Sequence, residues 1–130
     1  MIVLDASVVI EMLLWTDRAG TICNYVLDPE ESRHAPHLLD VEVAQVIRRY
    51  WLAGEIDVLR GNQMMEDFAN LPIDRHEHVL LLPRIWQLHS NLTAYDAAYI
   101  ALAEALDAPL ATCNDRLAAA PGHNARITLL

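Results

Sequence analysis

Apolar residues along this chain alternate between the spacing of strands and the spacing of helices. Met1 to Leu4 is a short apolar, partly β-branched run that stops at Asp5, and a helical pattern (Val8, Val9, Met12, Leu13) follows at once, which predicts a strand and then a helix. A second helix is predicted from Thr16-Asp17 through Leu27, halted by Asp28-Pro29-Glu30, with a second short strand around Arg33 to Pro36. From Leu38 to Ala53 the residues Leu39, Val43, Val46, Ile47 and Tyr50 fall on one helical stripe that ends at Gly54, and another helix fits Val58 to Ala69. Leu71 to Arg75 reads as a third strand, followed by a helix from Glu77 to His89. The alanine-rich segment Ala94 to Leu106 is apolar on nearly every side, so it is expected to be a deeply packed helix. Pro109 to Cys113 and Ile127 to Leu130 supply a fourth and a fifth strand.

Strands separated by helices predict an α/β fold: a three-layer α/β/α sandwich around a small, mostly parallel sheet. No period repeats and no Gly/Ser/Pro-rich linker divides the chain, so residues 1–130 are expected to form one domain. Composition narrows the chemistry. The chain has 18 acidic and 9 basic side chains, a formal net charge of −9. Every base is arginine. Without lysine, a P-loop NTPase or a lysine Schiff-base enzyme is excluded. The acidic balance argues against a protein that grips nucleic acid by neutralising many phosphates, but not against one that reaches phosphate through a metal. Cys23 and Cys113 lack zinc-ligand or CxxC spacing and read as small semi-buried hydrophobes. Asp5 interrupts the opening apolar run well before a signal peptide or membrane span, so a cytoplasmic protein is expected.

In an open parallel sheet, ligands bind at the carboxyl ends of the strands. Asp5 lies at the end of the first strand, and Asn114 and Asp115 lie just past the fourth. Glu42 falls in the first turns of its helix and Asp96 in the first turn of the alanine-rich helix. Each has a structural explanation when taken singly: Asp5 as a helix N-cap, Thr93-x-x-Asp96 as a capping box, and Glu42 as a boundary acid paired with Arg49 one heptad on. Gathered together, carboxylates within ~4–6 Å of one another repel and raise each other's pKa unless a cation compensates. A hard divalent cation answers that repulsion and brings phosphodiester chemistry with it. Ser7 and Thr112, beside the acids, are candidate hydroxyl donors to a metal-bound water or a phosphate oxygen, with backbone capping as the alternative.

Taken together, Ile2-Val3-Leu4-Asp5-Ala6-Ser7-Val8, His34-Ala35-Pro36-His37-Leu38 with Glu42, Leu92-Thr93-Ala94-Tyr95-Asp96-Ala97-Ala98-Tyr99 and Leu110-Ala111-Thr112-Cys113-Asn114-Asp115-Arg116-Leu117 resemble the PIN-domain ribonucleases, in particular the VapC toxins of prokaryotic toxin–antitoxin pairs. The resemblance implies a Mg²⁺- or Mn²⁺-dependent endoribonuclease with Asp5, Glu42 and Asp96 as its core acids. The family's Thr-x-Asp-x-Arg appears here as Thr112-x-Asn114-x-Arg116. Asn114 can therefore offer the metal a neutral carbonyl oxygen or hold a metal-bound water; Arg116, just past the acids, is a candidate to meet substrate phosphate, with a surface ion pair to a neighbouring acid as the alternative. The resemblance also implies an RNA substrate, a homodimer and a cognate VapB-like antitoxin seated on hydrophobic grooves, for which the apolar run Met12-Leu13-Leu14-Trp15 is a candidate surface, core burial being the alternative. Two other functions stay open at this point. An aspartate-nucleophile phosphatase would also place Asp5 here, but wants a second Asp where Ser7 stands. A catalytically silent RNA- or antitoxin-binding module is made thinkable by Asn114.

Overall fold

Ile2–Leu4 forms strand β1 because three consecutive apolar side chains bury completely on both faces of a sheet, and Asp5 ends it by turning its carboxylate back onto the amide of Val8. That cap starts helix α1 (Ala6–Leu14), and α2 (Ala19–Val26) follows. The computed structural model describes residues 1–130. The remaining elements are β2 (Arg33–Pro36), α3 (Leu38–Leu52), α4 (Val58–Asn70), β3 (Ile73–His76), α5 (Leu82–Gln87), α6 (Ala94–Leu106), β4 (Leu110–Thr112), α7 (Asp115–Ala119) and β5 (Ile127–Leu129).

The five strands are all parallel, in the order β3-β2-β1-β4-β5. Helix α1 packs with α2, α3 and α4, whereas α6 packs with α5 and lies over β1, β2 and β4. This is the expected three-layer α/β/α sandwich. Its core is one cluster in which Val3, Val8, Val9, Leu39, Ile100 and Leu110 are fully enclosed. Ala97, Ala98, Ala101 and Ala103 are all buried, as the all-round apolar character of α6 predicts. No helix is long and apolar enough to cross a membrane.

Two local expectations change. The helix expected over residues 77–89 is a 3₁₀ turn at Val79–Leu81 followed by the six-residue α5. Pro83, in the first turn of α5, has no amide hydrogen to extend a helix from before it. The short α7 lies where the sequence reading placed no element; five residues carry too little periodicity to register. Of the run Met12–Trp15, Met12 and Leu13 belong to the core, so helix burial claims most of it. Trp15 alone stands well out, 72% exposed, in the left-handed region (φ 53°) that closes α1.

Candidate active site

Strand order reverses direction between β1 and β4, the point in an open α/β sheet where a crevice forms at the carboxyl ends. An open cavity of about 270 Å³ occupies it, and its lining includes Asp5, Glu42, Asp96 and Asn114 together with Ser7, Gln45, Arg49 and Tyr99. Three acids separated by up to 91 positions in sequence thus share one cavity. Each arrives there for a local reason. Asp5 is the N-cap of α1, Glu42 is one turn into α3, and Asp96 follows the N-cap Thr93, whose hydroxyl oxygen accepts the Asp96 amide at 3.2 Å.

The three carboxylates are held very differently. Asp5 is buried, and every hydrogen bond around it points inward: Oδ1 accepts from the Ser7 hydroxyl at 2.6 Å and the Val8 amide at 3.2 Å, and Oδ2 accepts from the Thr112 hydroxyl at 2.5 Å. The hydroxyls are themselves anchored, Ser7 Oγ accepting the Cys113 amide at 2.8 Å and Thr112 Oγ1 the Asn114 amide at 3.0 Å. Glu42 accepts at Oε2 from the Tyr99 hydroxyl at 2.6 Å, which leaves Oε1 free. Asp96 accepts no hydrogen bond at all, so the reciprocal half of a capping box is absent and both its oxygens are available.

This pattern revises several expectations. Ser7 and Thr112 each have one hydroxyl proton, and in both it is committed to Asp5, so they orient that carboxylate and have no proton left for a water or a phosphate. Asn114 lines the cavity, but its Oδ1 caps α7, accepting from the amides of Arg116 at 3.0 Å and Leu117 at 3.4 Å. Both oxygen lone pairs are thereby used, and the amide nitrogen cannot ligate a metal. An aspartate there would keep the cap with one oxygen and free the other. The side chain of Arg116 is exposed and lies outside the cavity lining. Asp115 is exposed and also outside it. Glu42 and Arg49 form no ion pair, and no arginine lowers the pKa of Glu42.

All three acids hold their protons above the usual carboxylate range. Burial is the main cause at each; at Asp5 the bonds from Ser7, Thr112 and Val8 partly oppose it. At Glu42 burial is opposed by the Tyr99 bond and reinforced by the negative charges of Asp96 and Asp5. Tyr99 is pushed in the same direction by burial and by Glu42, so its hydroxyl remains a donor at any physiological pH. The cavity therefore carries mutually repelling carboxylates whose negative form is disfavoured in the absence of a cation.

These donors fit a divalent metal of the Mg²⁺ type. All are hard oxygens, two of the acids have free lone pairs, and the cavity is wide enough for retained waters. No three His, Cys, Asp or Glu side chains are drawn together tightly enough to cage a bare ion. An ion here would be held by one or two carboxylates and complete its shell with water.

Sequence reasoning did not find Tyr99, Gln45 or Arg49 as parts of this cavity. Tyr99 reads as core, and 99% of its surface is indeed enclosed, yet its single polar atom reaches the site. The spacing Asp96-x-x-Tyr99, one helical turn, is the signal that was present. Replacing Tyr99 by Phe should cost about 1 kcal/mol at neutral pH, a value reduced for the half-exposed state of Glu42. The bond lowers the folded-state pKa of Glu42, so the difference from wild type should be present at neutral pH and shrink as pH falls through the Glu42 pKa. Urea titrations of both proteins at several pH values check this, and a pH-independent difference would contradict it.

The four histidines around β2 and β3 lie apart from this cavity. His34 is buried between Ser32 and His76, at 2.8 and 2.9 Å, and His78 Nε2 accepts the Leu38 amide at the start of α3. His34 and His76 join β2 to β3, and His78 holds the start of α3.

Comparison with known proteins gives one consistent answer. The PIN domain family profile matches residues 2–122. Ribonuclease VapC12 of Mycobacterium tuberculosis is 40% identical over 130 residues, covering 100% of this chain and 99% of that protein. Ribonuclease VapC1 of the same organism is 40% identical over 129 residues, covering 98% and 96%. The fold is similar to that of VapBC2 from Rickettsia felis, solved bound to a DNA fragment from their promoter (TM-score 0.71, 13% identity, 99% of this chain and 98% of that one). It is also similar to that of Mycobacterium tuberculosis VapC20, described as a sarcin-ricin loop cleaving toxin (TM-score 0.70, 11% identity, 92% and 94%).

Proposed function

The chain belongs to the PIN domain family, and from that premise we propose that it is a metal-dependent endoribonuclease, the toxin of a VapBC-type pair, with residues 1–130 acting as a single PIN domain. The observation that carries this is the cavity at the β1/β4 switch point, where Asp5, Glu42 and Asp96 all have raised pKa values and Asp96 and Glu42 present free oxygens. The full-length similarity to two ribonucleases supports RNA as the substrate.

Asp96 and Glu42 Oε1 would hold Mg²⁺ or Mn²⁺ directly, and the buried Asp5 would add its negative charge to the same cavity. Such an ion supplies a water of lowered pKa and neutralises charge on the phosphodiester being cut. The protein's own contribution is to hold acceptors in place. Ser7, Thr112 and the Val8 amide fix both oxygens of Asp5, and Tyr99 fixes one oxygen of Glu42. With Asn114 capping α7 instead of presenting an oxygen, one well-held ion is the arrangement this chain supports.

A cognate antitoxin and a second copy of the chain complete the proposed assembly. Large apolar side chains left exposed support it, among them Trp15, Leu59, Leu80 and Trp86.

Purified protein should cleave RNA in Mg²⁺ or Mn²⁺ and lose that activity in EDTA, with product 5′ ends mapped after induced expression to report the target. The alternative, a silent PIN-fold binding module, draws on the engagement of Asn114 as a cap. A wild type that binds RNA without cutting it, while Asn114→Asp cuts it, would establish that alternative.

A further inference from the structure

With no lysine in the chain, contact with RNA phosphate falls to nine arginines, and most of these are already engaged. Arg18 donates to the Leu130 carbonyl, Arg33 to Pro72 O at 3.0 Å, Arg60 to Leu13 O at 2.8 Å and Arg126 to Asp107 O at 2.7 Å. Arg75 pairs with Asp40 at 3.0 Å and Arg84 with Glu104 at 2.7 Å. Three guanidinium groups remain without a protein partner: Arg48, Arg49 and Arg116. Arg48 lines the apolar groove between α3 and α4, and Arg116 stands on α7 outside the acid cavity. Only Arg49 lines the cavity that holds Asp5, Glu42 and Asp96.

We propose that Arg49 anchors an RNA backbone phosphate next to the one being cut, an inference that rests on the ribonuclease reading of the cavity. Arg49 follows Glu42 by seven residues on α3, which places their backbones about 10 Å apart along the helix axis. Arg49 shares their cavity but pairs with none of the acids, and none of Asp5, Glu42 or Asp96 has its pKa lowered by it. It is therefore free for a ligand, and it serves a phosphate flanking the metal-held one. The acid cavity also continues along α3 through Val46 and Arg49 into a second cavity of about 390 Å³ bordered by Tyr50, Ala53 and Glu55. Arg49 stands at the junction of the two. Glu55 at the far end repels phosphate, which limits the favourable position to that junction. In a molecule of net charge −9, a single unpaired guanidinium beside the catalytic acids provides a local attraction that the overall field does not.

The test compares wild type, Arg49→Gln and Arg48→Gln, all with side chains that are exposed and unpaired in the native fold. Two readouts are taken: steady-state cleavage of a fluorescein-labelled single-stranded RNA of mixed sequence in Mn²⁺, and anisotropy of the same RNA in EDTA over a range of sodium chloride. Arg49→Gln should raise KM roughly tenfold with kcat unchanged, because the contact is equal in ground and transition states. Its plot of log binding constant against log salt should be shallower by about 0.7, the loss of one phosphate contact to a single strand. Arg48→Gln should match wild type. A wild type that cleaves while Arg49→Gln is indistinguishable from it, or while Arg48→Gln is impaired as much, overturns the assignment of Arg49 and leaves the ribonuclease reading standing. A wild type that neither binds nor cleaves RNA overturns both.

Discussion

Asp96→Asn should reduce RNA cleavage at least about a hundredfold while leaving the protein folded. Outer-sphere partners of a metal typically cost 10–100-fold when removed, so losing the charge of a carboxylate with both oxygens free should cost no less. The fold should tolerate the change because Asp96 accepts no hydrogen bond whose donor would be stranded. In metal-free protein the variant should be as stable as wild type or more so. Burial raises the pKa of Asp96 in the folded state, so the native protein binds its proton more tightly than the unfolded chain does. Stability then declines as pH rises from the ordinary carboxylate range through that raised pKa, and asparagine removes this share of the decline. Asp5→Ala should differ in kind. It should also abolish cleavage, but it leaves the Val8 amide and the hydroxyls of Ser7 and Thr112 without their acceptor, at a cost of about 2–4 kcal/mol. Cleavage assays and thermal melts of the two variants in EDTA separate the roles. Wild-type cleavage by Asp96→Asn would remove it from the catalytic set.

The largest effect on stability is expected at α6. Ile100 is completely enclosed there, so Ile100→Ala removes apolar burial and leaves a cavity, for a loss of about 2–5 kcal/mol. For a chain of this length, that lowers Tm by roughly 6–20 °C. Leu80→Ala provides the contrast: its side chain is 84% exposed and its removal should change stability by no more than about 0.5 kcal/mol. Since α6 also carries Asp96 and Tyr99, partial loosening of its packing should weaken Mn²⁺ binding before the protein unfolds. Calorimetric titration with Mn²⁺ at low temperature, where the variant remains folded, checks this. The arrangement ties function to the core: the helix that is apolar on every side is the one whose first turns deliver an acid and the hydroxyl that steadies another.

Much of this was legible in the chain itself. The apolar runs at Ile2–Leu4 and Leu110–Thr112 had to be buried strands, and the stripes through α3 and α6 had to be helices, because period and side-chain character are local properties. The end of a parallel strand then puts Asp5 and Asn114 at one edge of the sheet without further information. Local patterns also located the caps at Asp5 and Thr93. Where elements were short or broken by proline, at α7 and α5, the periodic signal was too brief to define them.

Tertiary structure decided which atoms of these residues are free. That Ser7 and Thr112 turn their protons onto Asp5 depends on β1 and β4 being neighbours in the sheet, with 105 positions between the two hydroxyls. That a buried tyrosine on α6 steadies Glu42 on α3 depends on two helices meeting across the end of the sheet. The use of Asn114 as a cap and the unpaired state of Arg49 follow from hydrogen-bond directions and from which partners stand within a few ångströms. Residue types and their spacing, which the sequence carries, are set along the chain. The remaining valence of each donor and acceptor is set by neighbours brought together through space, and only the folded chain specifies them.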